Sequence, residues 1–365
     1  MSSAGGSIKR PERQKRTGLV AVARALGVSP STVSNAYNRP DQLSPALRDR
    51  VLATAAELGY AGPDPVARSL RRGRAGTIGV VFHDRLAQAF DDPAAVQFLQ
   101  GLSDATDAVG LALVLVPGHP DQAVKAAAVR DAAVDGLILN GLVADDPVIA
   151  ATVKRGRPAV VVDAPVVDGL DFVGIDDAGG AGSAIRHLLG AGHRRLVILS
   201  FGLTLTARGP LDPADLATAA DSVARRRLEG CAAALAEDGL GWSDVPVEQC
   251  AKSSVEAGLA GAHALLDRAP GATALFAFSD RLALGARRAA AERGLDVPGA
   301  LSIVGFDGTA EEQGITSVHQ PLRDKGRVAA ERLIAALGGD AAGPGRELLP
   351  TRLVPGASTA PPRAA

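Results

Sequence analysis

A run of short hydrogen-bonding side chains at residues 29–38 is the part of this 365-residue chain best suited to recognising another molecule directly. Ser29 can cap a helix by accepting a hydrogen bond from a backbone N–H, and Pro30 fits the first helical position, where its missing N–H costs nothing. Val33 and Ala36, three residues apart, would face inward. Compact donors and acceptors on the outer face suit the base edges and phosphates of a DNA major groove. They are Ser31, Thr32, Ser34, Asn35 and Asn38.

The surrounding sequence favours this interpretation over a polar surface helix that merely follows a loop. Residues 19–26 form a short apolar stretch with helical spacing, and Gly27 can supply the turn after it. Ser44 and Pro45 open a third helix by the same capping logic, and Gly59 closes it. Three short helices within about 45 residues predict a helix-turn-helix DNA-binding head.

The charge distribution supports a nucleic-acid partner. Residues 1–76 contain 13 Lys or Arg and 5 Asp or Glu, a net charge of +8. The remaining 289 residues contain 26 and 35, a net charge of −9, so the whole chain is close to neutral at −1. A basic head on an acidic body is the electrostatic footprint of nucleic-acid binding, whereas a merely solvated charged face would not be segregated by segment.

Residues 17–76 resemble the headpiece of the LacI/GalR family of bacterial transcriptional regulators. The motifs that carry the resemblance are Gly27-Val28-Ser29, Thr32-Val33-Ser34, Asn38, Glu57-Leu58-Gly59-Tyr60 and Val66-Ala67-Arg68-Ser69-Leu70. The resemblance implies that Pro30, Ser31 and Asn35 occupy base-reading positions, with Pro30 limited to apolar contact such as a thymine methyl. The candidate DNA-contacting residues of this helix are Ser29, Pro30, Ser31, Thr32, Ser34, Asn35 and Asn38.

Two features flank this helix. The family usually opens its first helix with Thr and places an Asp in the first turn, whereas Gly18 and Ala21 stand here, so we expect a poorly capped first helix. After the head, residues 63–76 form a basic linker. By resemblance it contains a hinge helix at residues 65–72 that folds on DNA and inserts Leu70 into the minor groove, which kinks the duplex. The candidate contacts there are Ala67, Arg68, Leu70 and Arg71.

From residue 77 the chain alternates short apolar runs with Ala-rich stretches of helical spacing. The runs are too short for helices and largely lack polar alternation, as expected of parallel strands buried on both faces. They cover residues 77–82, 111–116, 136–139, 159–162, 172–175, 196–200, 274–278 and 302–306. Repeated βαβ units over about 280 residues predict two lobes of about 130 residues each. Ligands bind beyond the carboxyl ends of such strands, so the cleft between the lobes is the expected pocket.

The family resemblance continues to about residue 358. Its markers there include Val173-Gly174-Ile175-Asp176-Asp177, Arg227-Leu228-Glu229-Gly230, Phe278-Ser279-Asp280 and Ser302-Ile303-Val304-Gly305-Phe306-Asp307. It implies a core domain like that of periplasmic sugar-binding proteins, with two Rossmann-like lobes joined by three crossovers around a small effector. The predicted fold class is α/β: a three-helix head followed by a two-lobed, doubly wound effector domain.

Six residues are candidates for the effector pocket. By resemblance Arg227 matches the effector-binding Arg, and Ser279 stands where relatives often have Asn. Carboxylates and amides accept hydrogen bonds from hydroxyls while Arg donates to them, which suits a polyol. The candidates are Phe90 (as a stacking face), Asp163, Arg227, Ser279, Asp307 and Gln320. The alternatives are helix capping for the Asp residues, with Asp280 expected to be a cap, a surface ion pair for Arg227 and core packing for Phe90.

Other classes of protein fit poorly. A Rossmann-type oxidoreductase would need Gly-x-Gly-x-x-Gly after the first strand, where His83-Asp84-Arg85-Leu86 stands. The His, Asp and Cys residues form no catalytic or metal-ligand pattern. Cys231 and Cys250 are the only cysteines, which are too few for a disulfide framework. A binding protein for uptake would need a signal sequence and would lack a basic helical head. No enzyme activity, metal or cofactor is therefore expected, and we expect a cytoplasmic location.

The sequence predicts a ligand-responsive transcription factor. A homodimer would bind a palindromic operator in double-stranded DNA, and a sugar-like inducer would release it; a co-repressor such as a nucleobase is the alternative. The C-terminus shows no leucine heptad, so a dimer rather than a tetramer is expected. The predicted segments are a disordered basic arm (1–16), the helix-turn-helix domain (17–62), the hinge helix and linker (63–76), the effector-binding and dimerisation domain (77–358) and a tail (359–365).

Overall fold

The computed structural model of the protein describes residues 18–62, 73–82, 85–118, 121–204, 206–340 and 343–363. The chain divides into two compact units, Met1–Ala75 and Gly76–Ala365. Four predicted DNA contacts and the predicted basic arm, residues 1–16, lie outside the described residues. The four contacts are Ala67, Arg68, Leu70 and Arg71.

The head contains the three predicted helices: α1 (Leu19–Leu26), α2 (Pro30–Asn38) and α3 (Pro45–Glu57). Gly27 ends α1 at φ 67°, a left-handed conformation that glycine adopts without the steric cost of a Cβ. No side chain caps α1, as expected from Gly18 at its start. A small core holds the helices together, and its fully or nearly fully buried members are Val22, Ala23, Val33, Ala36, Val51 and Ala55.

The second unit consists of alternating strands and helices. Its strands are β1 (Thr77–Phe82), β2 (Ala112–Val116), β3 (Gly136–Asn140), β4 (Ala159–Val162), β5 (Asp171–Ile175), β6 (Leu196–Phe201), β7 (Gly209–Pro210), β8 (Val247–Cys250), β9 (Ala274–Ala277), β10 (Ser302–Asp307), β11 (Thr316–His319), β12 (Arg346–Leu349) and β13 (Arg352–Val354). Its helices are α4 (Leu86–Asp91), α5 (Pro93–Asp107), α6 (Gln122–Asp131), α7 (Pro147–Arg155), α8 (Asp177–Gly190), α9 (Asp215–Thr218), α10 (Val223–Glu237), α11 (Val255–Arg268), α12 (Asp280–Glu292) and α13 (Leu322–Gly338).

These strands form two sheets, one per lobe. The first sheet has the order β12-β5-β4-β3-β1-β2 and its pairs are parallel. The second has the order β13-β11-β10-β9-β6-β8-β7, with β13 and β7 antiparallel at its edges. The chain passes between the lobes three times: after β5, between β11 and α13, and between β12 and β13. The predicted two-lobed α/β architecture with three crossovers is confirmed.

The eight predicted apolar runs all form strands, and five further strands were not predicted. The predicted strands in the middle of each sheet are buried on both faces, which is why they are continuous apolar runs. The missed strand β8 contains Glu248 and Gln249, so its sequence lacks that signature. The missed strands β7, β12 and β13 lie at or next to sheet edges, where polar residues are tolerated.

The C-terminal residues 359–363 are not a separate tail. The Ala360 N–H donates to Ser302 Oγ at 3.0 Å, and the Ala360 carbonyl lies 2.9 Å from Nε2 of buried His193. Arg363 forms an ion pair with Asp296 at 3.3 Å. Residues 359–363 therefore belong to the second unit, because these bonds fasten the segment beside β10. Among the described residues, no helix is both long and apolar enough to cross a membrane.

Candidate DNA interface and effector cavity

The start of α2 carries a cluster of hydroxyl groups. Ser29 caps the helix by accepting a hydrogen bond from the Thr32 N–H at 3.1 Å. Its Oγ also lies 2.7 Å from Ser31 Oγ and 2.8 Å from Thr32 Oγ1. Ser29, Pro30 and Ser31 are exposed and Thr32 is half-buried. This end of the helix therefore offers hydroxyls and one apolar ring in the positions where major-groove helices contact base edges.

The end of α2 uses more of its polar groups internally. Asn38 Nδ2 donates to the Ser34 carbonyl at 2.9 Å, so its amide partly satisfies the helix terminus. Asn35 Nδ2 donates to Oε1 of exposed Gln42 at 3.3 Å. An amide side chain is well suited to adenine in the major groove. Gln42 was not predicted, because it lies in a short 3₁₀ turn, Pro40–Gln42, beyond the helix.

The described head is less basic than the segment that contains it. Residues 18–62 hold four Arg and three Asp or Glu, a net charge of +1. The rest of the +8 belongs to residues 1–17 and 63–76. The phosphate attraction inferred from composition therefore comes mainly from the two flanking segments, while the head supplies short neutral groups.

A cavity of about 260 Å³ lies between the two lobes, at the carboxyl ends of strands from both sheets. Its walls come from the segments after β3 and β4 in the first lobe and after β6, β8 and β10 in the second, together with the first turns of α5 and α10. This is where α/β sheets bind ligands. Its volume is near the lower end of the range of about 300–1,000 Å³ for small-molecule sites. Its acidic and basic side chains are Asp92, Asp163, Arg227, Lys252, Asp307 and Lys325.

A chain of hydrogen bonds joins the two lobes along one wall. Lys325 Nζ lies 2.8 Å from both carboxylate oxygens of Asp163 and donates to Gln320 Oε1 at 2.6 Å. Gln320 Nε2 donates to Asp307 Oδ1 at 2.7 Å. Asp163 follows β4 of the first sheet and Asp307 ends β10 of the second, while Gln320 lies in the crossover between them. The carboxylates of the two lobes are thus connected through one lysine and one amide.

Glycine at position 326 lets Lys325 reach this wall. A Cβ on Gly326 would lie 2.1 Å from the Phe98 carbonyl oxygen, so only glycine allows α13 to pack this closely on α5. The neighbouring Lys325 is 2% exposed and lines the cavity.

The two carboxylates share an unusual backbone conformation. Among the described residues, Asp163 at φ 66° and Asp307 at φ 113° are the two non-glycine residues with positive φ. Left-handed backbone costs a side-chain-bearing residue of order 1 kcal/mol or more, and such strain concentrates at functional sites. Burial also raises the pKa of Asp307 well above its ordinary value, a rise that nearby Arg227 only partly opposes.

Arg227 also lines the cavity, close to Asp307, and is 3% exposed. Its Nε donates to Asp177 Oδ1 at 2.9 Å, its Nη1 donates to the Phe278 carbonyl, and its Cζ lies 3.5 Å from the centre of the Phe306 ring. The surface ion pair considered from the sequence is therefore excluded. Burial raises the pKa of Asp177, and the Arg227 guanidinium opposes that rise.

Arg226, the preceding residue, connects the two lobes. Its Nη1 donates to the Asp163 carbonyl at 2.6 Å, and its Nε donates to Asp221 Oδ1 at 2.7 Å. Asp221 Oδ2 in turn accepts from the Val166 N–H at 3.1 Å. The two consecutive arginines of α10 therefore have different roles: Arg227 forms part of the cavity wall and Arg226 bridges the lobes.

Comparison with known proteins agrees with both units. Residues 19–62 match the family described as bacterial regulatory proteins, lacI family, and residues 185–359 match a periplasmic binding protein-like domain. An HTH-type transcriptional regulator of Mycobacterium tuberculosis is 39% identical over 96% of this chain and 99% of its own length. The chain belongs to the LacI family.

Solved structures of other LacI-family regulators share the fold. The Lac repressor dimer bound to operator and the anti-inducer ONPF superposes with a TM-score of 0.77 at 27% identity, over 95% of this chain and 100% of that one. The complex of the transcriptional regulator CelR with cellobiose gives 0.68 at 30% identity, over 94% and 100%. Like its relatives, this LacI-family chain is a DNA-binding transcriptional regulator and not an enzyme.

Four of the six predicted effector residues of this LacI-family chain line the cavity: Asp163, Arg227, Asp307 and Gln320. Phe90 does not. Helix α4 turns Ala89 inward and leaves Phe90 57% exposed, so the prediction of a stacking face there was wrong. The aromatic rings of the cavity wall belong to Phe98 and Phe201 instead.

Ser279, the sixth predicted residue, does not line the cavity either and lies behind its wall. It caps α12 by accepting from the Leu282 N–H at 3.2 Å, and Ser253, which does line the cavity, donates to its Oγ at 2.8 Å. The expectation that Asp280 is the helix cap was wrong. Asp280 instead accepts from the Thr309 and Ala310 N–H groups and from Ser317 Oγ, which fixes the loop after β10.

Lys325 is the most important residue that the sequence did not reveal. Nothing in the spacing of a lysine on an amphipathic helix distinguishes a buried wall residue from a solvated one. Asp92, Asn140, Ser222, Lys252 and Ser253 were missed for a related reason: they follow or begin elements whose ends meet only in three dimensions.

Proposed function

We propose that the protein is a ligand-responsive repressor that binds a palindromic operator as a homodimer in the cytoplasm and is released by a small, sugar-like inducer. The observation that carries the proposal is the presence, in one chain, of a capped helix with short polar side chains and a cavity with polar walls from two lobes. Two symmetric heads would each read one half-site, which makes the operator an inverted repeat.

The chemistry of the cavity favours a hydroxyl-rich ligand. Its carboxylates, amides and hydroxyls can accept from and donate to hydroxyls, and the rings of Phe98 and Phe201 supply apolar surface. Two of the similar LacI-family structures are a complex of CelR with cellobiose and a Lac repressor dimer with operator and the anti-inducer ONPF. Those similarities support a carbohydrate effector and a dimer for this chain.

Switching requires that the ligand bind two conformations with different affinity. Bonds that cross between lobes, such as Arg226 to the Asp163 carbonyl and Lys325 to Gln320 Oε1, would break or rearrange if the lobe angle changed. A ligand held by Asp163 and Asp307 touches both lobes at once and therefore acts on that angle. We propose that the connecting segment 63–76 transmits the change to the head.

The DNA part of the proposal is tested by selecting binding sites from a pool of randomised duplexes with the full-length protein. We expect enrichment of an inverted repeat whose affinity falls steeply with salt, because phosphate contacts release counterions. Enrichment of an unsymmetrical single site, or of nothing, would contradict it. The ligand part is tested by adding sugars and nucleobases to the selected protein–DNA complex. Release of the DNA by a sugar supports an inducer, whereas tighter DNA binding with a nucleobase would indicate a co-repressor instead.

A further inference from the structure

Two buried Lys–Asp pairs lie in the second unit, and only one of them faces the cavity. Lys125 and Asp146 are 2.6 Å apart, and their side chains are 1% and 0% exposed. Lys325 and Asp163 are 2.8 Å apart, and their side chains are 3% and 17% exposed. The two pairs are matched in residue type and distance, so their differences point to a difference in role.

The pair Lys125–Asp146 is enclosed and structural. Asp146 caps α7, since its Oδ1 accepts from the Val148 N–H at 2.9 Å while its Oδ2 binds Lys125. Neither residue lines the effector cavity. The cap and the ion pair together fix the start of α7 against α6.

The pair Lys325–Asp163 forms part of the cavity wall, and its donors are fully used. The ammonium has three N–H groups, which match Oδ1 and Oδ2 of Asp163 and Oε1 of Gln320. Lys325 therefore has no donor left for a ligand. Each Asp163 oxygen retains acceptor capacity toward the cavity, because a carboxylate offers about four lone-pair sites.

The two buried cations of the cavity wall are already paired with carboxylates. The acidic residues of the wall are Asp92, Asp163 and Asp307, and its basic residues are Arg227, Lys252 and Lys325. Lys325 neutralises Asp163 and Arg227 is paired with Asp177 behind the wall. A cationic ligand held at Asp163 would have to displace Lys325 from this buried pair, which is unfavourable because it leaves the ammonium buried without its partner.

We propose that Lys325 is the residue that determines the charge class of the effector: its ammonium fills a cation position beside Asp163, so the cavity takes neutral, hydroxyl-rich ligands and rejects aminated ones. This inference rests on the proposed function of the cavity as the effector site. Lys325 acts through Asp163 and Gln320 rather than by touching the ligand, which makes it a positioning residue.

Removal of the Lys325 ammonium should leave an open cation position beside Asp163. Lys325→Met keeps most of the stem and removes the ammonium, which leaves Asp163 as a carboxylate beside the cavity with no cation. Small ammonium ions from solution should then bind there, whereas they find no such position in the wild type. Because the site opens to the cavity, methylammonium should bind as well as ammonium.

The test compares thermal unfolding of the full-length Lys325→Met and Lys125→Met variants in ammonium, methylammonium and sodium chloride at equal ionic strength. For Lys325→Met we expect both amines to raise Tm saturably by about 2–4 °C over sodium. For Lys125→Met, whose carboxylate is enclosed, and for the wild type, we expect no such difference. Equal rescue of both lysine variants, or no rescue of Lys325→Met, would overturn the proposal.

A double variant that removes both charges separates a failure to fold from the loss of the Lys325 ammonium. Lys325→Met/Asp163→Asn removes both charges, and Asn tolerates the left-handed backbone at position 163. We expect this double variant to fold and to show no amine effect. If the double variant folds and Lys325→Met does not, the proposal requires that amines restore refolding of Lys325→Met. If neither variant folds, or if amines stabilise both equally, Lys325 is structural like Lys125 and the proposal fails. None of these results depends on operator binding.

Discussion

The proposed DNA-contacting face of the head and the proposed effector cavity are both built from polar side chains at helix starts and strand ends, but they differ in burial. In the head, Ser29, Pro30 and Ser31 are exposed, and their partners lie within a few residues in the chain. In the cavity, Arg227 and Lys325 are buried, and their partners are 50 and 162 residues away. One surface is local and open, and the other depends on the whole fold.

This difference has energetic consequences. An exposed polar group loses little when its partner is removed, since water replaces it, whereas a buried charge that loses its partner costs several kcal/mol. Changes in the head should therefore alter DNA binding more than stability, and changes in the cavity should alter stability and the response to a ligand. The chain provides separate probes: its two tyrosines, Tyr37 and Tyr60, are in the head, and its one tryptophan, Trp242, is in the second unit.

The largest effect is expected from Arg227→Met. The substitution leaves Asp177 buried without its cation and should lower the free energy of unfolding of the second unit by about 3–5 kcal/mol. Urea unfolding followed by Trp242 fluorescence measures it. The control is Arg186→Met, which removes an exposed ion pair to Glu237 and should cost less than about 1 kcal/mol. Equal losses in the two variants would contradict the buried role of Arg227.

Asn35→Ala tests the proposed DNA-contacting face of the head. Loss of an amide that reads a base should weaken specific operator binding by about 1–3 kcal/mol. Binding to an unrelated duplex and the unfolding of the head should change little, because Asn35 makes only an exposed bond to Gln42. Fluorescence anisotropy with both duplexes provides the measurement, and an equal loss on the two duplexes would refute base reading by this residue.

Two matched serines separate capping from recognition. Ser29 caps α2 and Ser44 caps α3, and a proline follows each. Replacing either with Ala should destabilise the head by about 1 kcal/mol, measured by tyrosine fluorescence. Only Ser29→Ala should also weaken operator binding, since only its hydroxyl lies among the groups at the start of α2. A similar affinity loss in Ser44→Ala would show that the effect comes from stability alone.

The smallest effect concerns pH. Because burial raises the pKa of Asp307, the folded protein binds its proton more tightly than the unfolded chain does. The stability contributed by that proton is present at low pH and is lost as the pH rises from the ordinary value of 3.8 through the raised one. Asp307→Asn should remove this loss, so its stability relative to wild type should increase with pH. Urea unfolding at several pH values checks the slope; a difference that is independent of pH would contradict the raised pKa.

The same contrast explains what could be predicted from the sequence. The head followed from local signals: the bond from Thr32 to Ser29 and the left-handed Gly27 each lie within one turn of the residues that encode them. Strand ends were also predictable, which is why Asp163 and Asp307 were found. Lys325 was missed and Phe90 was wrong because burial on a helix depends on the neighbour that packs on it. Strand β8 was missed because Glu248 and Gln249 interrupt its apolar pattern.

The central claim is that the cavity controls reading by α2. The most direct test is the operator affinity of the wild type and of Lys325→Met/Asp163→Asn, each with and without a sugar that raises the wild-type Tm. We predict that the sugar weakens wild-type operator binding by about 5- to 150-fold. In the variant, we predict that operator affinity without sugar is retained and the response to sugar is lost. A sugar that binds the wild type and leaves its operator affinity unchanged would contradict the account.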